Sequence, residues 1–167
     1  QALPAFLAGV DIKYGLTDKE TALFAASHRG ESYHITALEA LRKKLSIEEN
    51  QLFCPYSYPL NDKPKEEMLK RNIKMRKLYH NCSGKHMGFI AACYEMGFPI
   101  EGYWQISHPL QQKILKILSY ISETPFSEIQ VGVDGCGAPI FAIPLQNMAI
   151  TSLKLTCADL IEEEELR

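Results

Sequence analysis

Apolar residues recur three or four positions apart over most of this 167-residue chain. This spacing places them along one face of a helix and is typical of helices that bury one side against a core. Hydrophobic residues make up 46% of the chain and charged residues 23%, so we expect a globular domain with its own core. The pattern is clearest in residues 32–45, 83–96 and 107–121.

The features of strands are confined to one short region. Two apolar runs flank Cys136, and a glycine on each side of this cysteine indicates a tight turn between them. We therefore predict a helix-dominated α+β fold. The chain is predicted to be a single domain over residues 1–167, with a helical part at about 1–127 and sheet elements at about 129–145.

The charge balance argues against some classes of partner. The chain has 18 basic and 20 acidic residues and a net charge of −2, which disfavours a nucleic-acid binder or a membrane-surface protein. No stretch approaches the ~18 apolar residues of a transmembrane helix, and no secretory signal pattern is present. The 5 cysteines are scattered and odd in number, unlike a disulfide scaffold. We therefore predict reduced thiols and a cytoplasmic protein.

The segment around Cys82 combines several chemically active side chains. Cys82 stands at the predicted start of a helix, where free amides and the helix dipole favour a thiolate. Lys85 lies one turn further on the same face, where a cation lowers the thiol pKa. A thiolate and a neutral amine are both metal donors. The alternative, which stays open, is a buried cysteine beside a solvated lysine.

The turn around Cys136 is the second candidate. Cys136 lies at the end of the predicted sheet, and the nearby Asp134 could orient a substrate amine or a bound water. Cys82 and Cys136 together could bind Zn²⁺, which prefers thiolates in a tetrahedral set, although two ligands do not make a site. A glycine-rich hairpin with a buried thiol is the alternative. The remaining cysteines are expected to be packing residues; they are Cys54, Cys93 and Cys157.

Ser27 begins a short polar corner after a predicted helix. A serine at a helix end near a glycine, here Gly30, can be exposed and polarised. The adjacent His28 does not indicate a catalytic dyad, because side chains of neighbouring residues point apart. Taken alone, this segment predicts a turn.

Three segments together resemble the asparaginase II family, the thermolabile or rhizobial type of bacterial L-asparaginase. Their combined order and spacing is more specific than any single motif, and the resemblance runs from Gln1 to about Leu155. The segments are Ala26–Glu31, Asn81–His86 and Val133–Pro139, and His108-Pro109 and Pro144-Leu145 also fit the family pattern.

The resemblance implies a Ser/Lys amidohydrolase with a fold similar to serine β-lactamases and penicillin-binding proteins. The implied reaction converts L-asparagine and water to L-aspartate and ammonia. By position, Ser27 is similar to the second serine of the family's two Ser–Lys pairs. Asp134 is similar to a substrate-site carboxylate, and His86 to a substrate-site residue next to the metal.

The resemblance also implies a zinc site. Its ligands would be Cys82, Lys85 and Cys136, with a water completing the tetrahedron. A lysine binds Zn²⁺ only in its neutral form, which the metal itself favours. A homodimer would also be in keeping with the family.

One family feature is absent from the sequence. No Ser-x-x-Lys pair, which supplies the nucleophile in the family, occurs in the 167 residues. In the family's order this pair would lie immediately before Gln1, and the lysine partner of Ser27 would lie beyond Arg167. We therefore expect a truncated central part of a longer asparaginase-like enzyme, inactive by itself.

Two other functions remain open at this point. The first is a cysteine hydrolase in which Cys136 is the nucleophile and His86 or His108 the base. The second is a zinc-stabilised module without enzymatic activity.

Overall fold

The computed structural model describes residues 1–166, and Arg167, the last residue of the predicted domain, lies outside the described residues. The chain divides into two compact units, Gln1–Glu101 and the residues from Gly102 onward. Helices predominate in both units, and the strands form a small antiparallel sheet. The prediction of a helix-dominated α+β fold is confirmed to that extent.

The first unit is helical. Its α-helices are α1 (Leu3–Leu7), α2 (Val10–Lys13), α3 (Asp18–Ala22), α4 (Ser32–Lys44), α5 (Asp62–Lys70) and α6 (Ser83–Met96). Helix α6 is central: ten of its 14 residues are buried, and α1, α2 and α4 contact it.

Helix α6 approaches the segment after α3 very closely, because two of its residues are glycines. A Cβ at Gly84 would lie 2.4 Å from the main-chain oxygen of Leu23, and one at Gly88 would lie 3.0 Å from the ring of Phe24. Real Cβ atoms do not come within 3.0 Å of such neighbours. The two glycines therefore bring the chain that leads to Ser27 against the first turns of α6.

Two residues of the first unit have a left-handed backbone where a helix ends. Ser46 has φ 53° as the chain leaves α4, and Glu48 and Gln51 form the capping box of the short turn that follows. Asn72 has φ 52° just after the end of α5 at Lys70. Pro64 lies in the first turn of that helix, where a missing amide is tolerated.

The second unit contains the sheet. Two strands, β1 (Gln130–Val133) and β2 (Pro139–Ala142), flank the turn around Cys136, as the sequence predicts. They pair antiparallel, with Val131 opposite Phe141 and Val133 opposite Pro139. The helix expected to start at Ser107 is capped by His108, whose Nδ1 accepts a hydrogen bond from the Leu110 amide at 3.1 Å. The elements are α7 (Pro109–Ser122), β1 (Gln130–Val133), β2 (Pro139–Ala142) and α8 (Leu145–Thr156). Among residues 1–166, no helix has the length and apolar character needed to cross a bilayer.

Candidate functional site

Ser27 lies exposed on the corner between α3 and α4, and its hydroxyl has a defined partner. The side-chain amide of Asn81 donates a hydrogen bond from Nδ2 to Ser27 Oγ at 2.8 Å. The main-chain amide of His28 donates to the carbonyl oxygen of Asn81 at 3.2 Å. Asn81, the residue before Cys82, therefore binds this corner of the chain through both its side chain and its backbone.

The neighbouring His28 points into the unit and contacts Ser83. Its Nδ1 accepts a hydrogen bond from the Gly30 amide at 3.1 Å, so the ring proton is on Nε2, which faces Ser83 Oγ at 2.9 Å. The Ser83 hydroxyl in turn donates to the carbonyl of Leu78 at 3.1 Å. His28 is therefore a donor to Ser83 and does not activate it as a base. The hydrogen bond between them connects the corner that contains Ser27 to the first residue of α6.

Burial controls the charge of His28. Desolvation, followed by the positive charges of His34 and His80, lowers the pKa of His28 to about 4. The imidazole is therefore neutral near pH 7, in agreement with its hydrogen bonds. Ser27 and His28 have different partners, as expected for adjacent side chains.

Cys82 and Lys85 lie at the start of α6, as predicted. Cys82 is the buried residue preceding the helix, and its main-chain amide donates to Nδ1 of His80 at 3.1 Å. Lys85 is half-buried in the first turn. His86 is fully buried, with its ring edge-on to Phe89 at 5.8 Å between centroids.

In the second unit, the turn after β1 places the side chains of Asp134 and Cys136 in contact. The thiol of Cys136, which is 1% exposed, donates to Asp134 Oδ2 at 3.2 Å. The other carboxylate oxygen accepts from the Gly135 amide at 2.7 Å. Backbone hydrogen bonds of 2.8 Å link Asp134 to Gly137 and Ala138, and Gly137 has φ 85°, so the turn requires glycine there.

The chemistry of these donors suits a metal ion. A sulfur ~2.3 Å and an oxygen ~2.0 Å from a tetrahedral zinc lie about 3.5 Å apart, close to the observed spacing between Cys136 Sγ and Asp134 Oδ2. Cys82 in the first unit, and Asp134 with Cys136 in the second, each offer ligand atoms of the kind that metals bind.

Sequence reasoning missed two contacts and overestimated one packing role. In the sequence Asn81 is only one residue of a family-like segment, yet its side chain contacts Ser27, which is 54 residues away. The contact between Cys136 and Asp134 was not expected either. Cys54 and Cys93 are buried packing thiols, and burial raises the pKa of Cys93 to about 12, but Cys157 is exposed.

The structure is that of a helix-rich α+β protein. It has an exposed serine, Ser27, hydrogen-bonded to Asn81, and a turn in which the Cys136 thiol is hydrogen-bonded to the Asp134 carboxylate. The sequence profile of the L-asparaginase II family matches residues 1–167. The chain therefore belongs to the L-asparaginase II family, and the resemblance predicted from three short segments is confirmed over the whole chain. Comparison with curated proteins finds no match.

Proposed function

We propose that this chain carries part of the active site of an amidohydrolase that converts L-asparagine and water to L-aspartate and ammonia. The observation that carries the proposal is the family match over residues 1–167. The proposal includes a fold similar to serine β-lactamases and penicillin-binding proteins, with which a helix-rich chain and an antiparallel hairpin are compatible.

Ser27 is proposed to act in proton transfer and not as the nucleophile, because the 167 residues hold no Ser-x-x-Lys pair. Its hydroxyl is exposed, and the hydrogen bond from Asn81 occupies a lone pair on Oγ while leaving the hydroxyl proton available to another group. These two properties support the role. A serine buried with both lone pair and proton engaged, as Ser83 is, could not exchange a proton with a substrate.

Asp134 is proposed to bind the α-ammonium group of the substrate. The Gly135 amide donates to one oxygen of this carboxylate, and in the absence of a metal the Cys136 thiol donates to the other. An ionised carboxylate fixed at the turn in this way is a suitable acceptor for an ammonium group. His86 is also proposed as a substrate-site residue, and because it is fully buried it would act through the residues around it.

Zinc is proposed as the cofactor, with Cys82, Lys85 and Cys136 as its ligands. Thiolates and a neutral amine are suitable zinc donors, and the contact of Cys136 with Asp134 adds a carboxylate that can orient or share the metal. A bound zinc would supply a fixed positive charge to polarise an oxygen of the substrate.

The proposal is tested with the natural gene product that contains this chain. Ammonia release from L-asparagine is measured for the wild type and for Ser27→Ala, with Ser57→Ala as a matched serine control. We expect hydrolysis by the wild type and by the control, and a loss of at least about 100-fold in kcat for Ser27→Ala. Absence of hydrolysis at any zinc loading would exclude the activity, and full activity of Ser27→Ala would exclude the role of Ser27.

The same assay separates this function from a cysteine hydrolase. Iodoacetamide treatment that abolishes turnover while a chelator has no effect would favour Cys136 as a nucleophile. We expect the chelator to abolish turnover and iodoacetamide to have no effect. The reason is that Cys136 is almost fully buried and its thiol is hydrogen-bonded to Asp134.

A further inference from the structure

We propose that Asn81 is a positioning residue, which fixes the orientation of the Ser27 hydroxyl for the reaction. The inference rests on the proposed function, because it gives Asn81 a purpose only if Ser27 takes part in catalysis. It starts from one contact, the 2.8 Å hydrogen bond from Asn81 Nδ2 to Ser27 Oγ. Ser27 is exposed, so without this donor its side chain would be free to change rotamer in solvent.

Asn81 is itself held in place by its surroundings. Its carbonyl accepts the His28 amide, and the next residue, Cys82, leads directly into α6. Two residues on, Ser83 contacts the His28 ring. A change to the Asn81 side chain therefore removes the contact with Ser27 and leaves these backbone and neighbouring bonds in place.

The direction of the hydrogen bond also matters. An amide nitrogen can only donate, so Ser27 Oγ must accept, and the hydroxyl proton is directed away from Asn81. An aspartate at position 81 would have nearly the same size but would offer only acceptors when ionised. It would draw the Ser27 proton toward itself, the opposite of the orientation that the amide imposes.

The test is a double-mutant cycle on asparagine hydrolysis by the natural gene product that contains this chain. Asn81→Ala, Asn81→Asp and Ser27→Ala are compared with the Ser27→Ala/Asn81→Ala double variant. We expect Asn81→Ala to lower kcat about 10-fold with KM changed less than about 2-fold, and Asn81→Asp to lower it at least as much. In the Ser27→Ala background, Asn81→Ala should have no further effect on kcat.

Gln51→Ala is the matched control, because the Gln51 amide also donates to a hydroxyl, that of Tyr94 at 3.1 Å. It should leave kcat unchanged. Zinc content and the midpoint of thermal unfolding are measured for every variant, so that metal loss or unfolding is recognised. A stable, metal-replete Asn81→Ala with wild-type kcat, or an equal loss in the Ser27→Ala background, would overturn the role of Asn81. Wild-type activity of Ser27→Ala would instead overturn the proposed function, and with it this inference.

Discussion

Gly84 and the main-chain oxygen of Leu23 are so close that a Cβ on the glycine would lie 2.4 Å from that oxygen. The neighbour is backbone and cannot rotate away, so a side chain at position 84 would displace either α6 or the segment that leads to Ser27. The contact makes the position of Ser27 depend on a residue that takes no part in chemistry.

Gly84→Ala is therefore expected to destabilise the protein by about 3 kcal/mol, even though alanine favours helix by roughly 1 kcal/mol over glycine. Gly88→Ala is the matched control. Its Cβ would meet the Phe24 ring at 3.0 Å, and a ring can shift, so the loss should be smaller. The free energy of unfolding in urea measures both. Equal stability of Gly84→Ala and wild type would show that α6 does not depend on this close approach.

The buried His28 predicts a pH dependence of stability. Its pKa is lowered from 6.5 in an exposed histidine to about 4 in the folded protein, mainly by desolvation. Between these values the unfolded chain binds a proton that the folded chain does not. The stability is therefore fully present above pH 6.5 and is lost as the pH falls toward 4, by up to about 3 kcal/mol.

His28→Gln removes this titration, and its free energy of unfolding should change less between pH 7 and pH 4.5 than that of the wild type. His34→Gln serves as the comparison, because the pKa of His34 is also lowered, but His34 is only partly buried. Denaturant unfolding at a series of pH values measures how the free energy of unfolding of each variant changes with pH. Parallel curves for His28→Gln and wild type would mean that His28 is not the group responsible.

The regular elements of the fold follow closely from local sequence patterns. Apolar spacing predicted α4 and α6 to within one residue at each end, because both helices bury apolar side chains in the first unit: Leu38 and Leu41 in α4, and most of the residues of α6. The paired runs around Cys136 predicted β1 and β2, because a tight turn joins two segments that are neighbours in sequence.

The candidate site was predicted less completely, because its contacts join distant parts of the chain. The hydrogen-bonded residues Ser27 and Asn81 are 54 positions apart in the sequence, and His28 and Ser83 are 55 apart. No periodicity reports such pairs. The family's motifs identified the segments, but the contact itself depends on packing, including the close approach of Gly84 to Leu23.

Glu49 is predicted to stabilise the segment that precedes Cys82 in the chain. Its Oε2 accepts from Arg76 at 2.6 Å and 3.1 Å, and its Oε1 accepts from the amides of Lys77 and Leu78 at 2.9 Å and 3.3 Å. Glu49→Gln weakens this set and should cost about 2 kcal/mol of unfolding free energy.

Glu48→Gln is the control for that variant. The Glu48 side chain is 75% exposed, against 23% for Glu49, and it forms an ion pair with Arg42 at 3.2 Å. Such a pair contributes no more than about 1 kcal/mol. The capping-box bond of Glu48 needs only an acceptor oxygen, which glutamine keeps. Urea unfolding of the two variants side by side should show the larger loss for Glu49→Gln. An equal loss would mean that the bonds to Arg76 and the two amides add nothing to stability.

Metal binding is predicted to raise the stability of the folded protein, because an ion that binds only the folded state stabilises it by mass action. Zinc at 100 times its Kd should add about 2.7 kcal/mol to the unfolding free energy of the wild type. Cys82→Ala and Cys136→Ala should lose this gain and bind less zinc by elemental analysis. Cys157→Ala, which removes an exposed thiol, should keep both. Unchanged zinc content in Cys82→Ala and Cys136→Ala would remove these two cysteines as ligands. The hydrogen bond between Cys136 and Asp134 would then have to be explained by the turn alone.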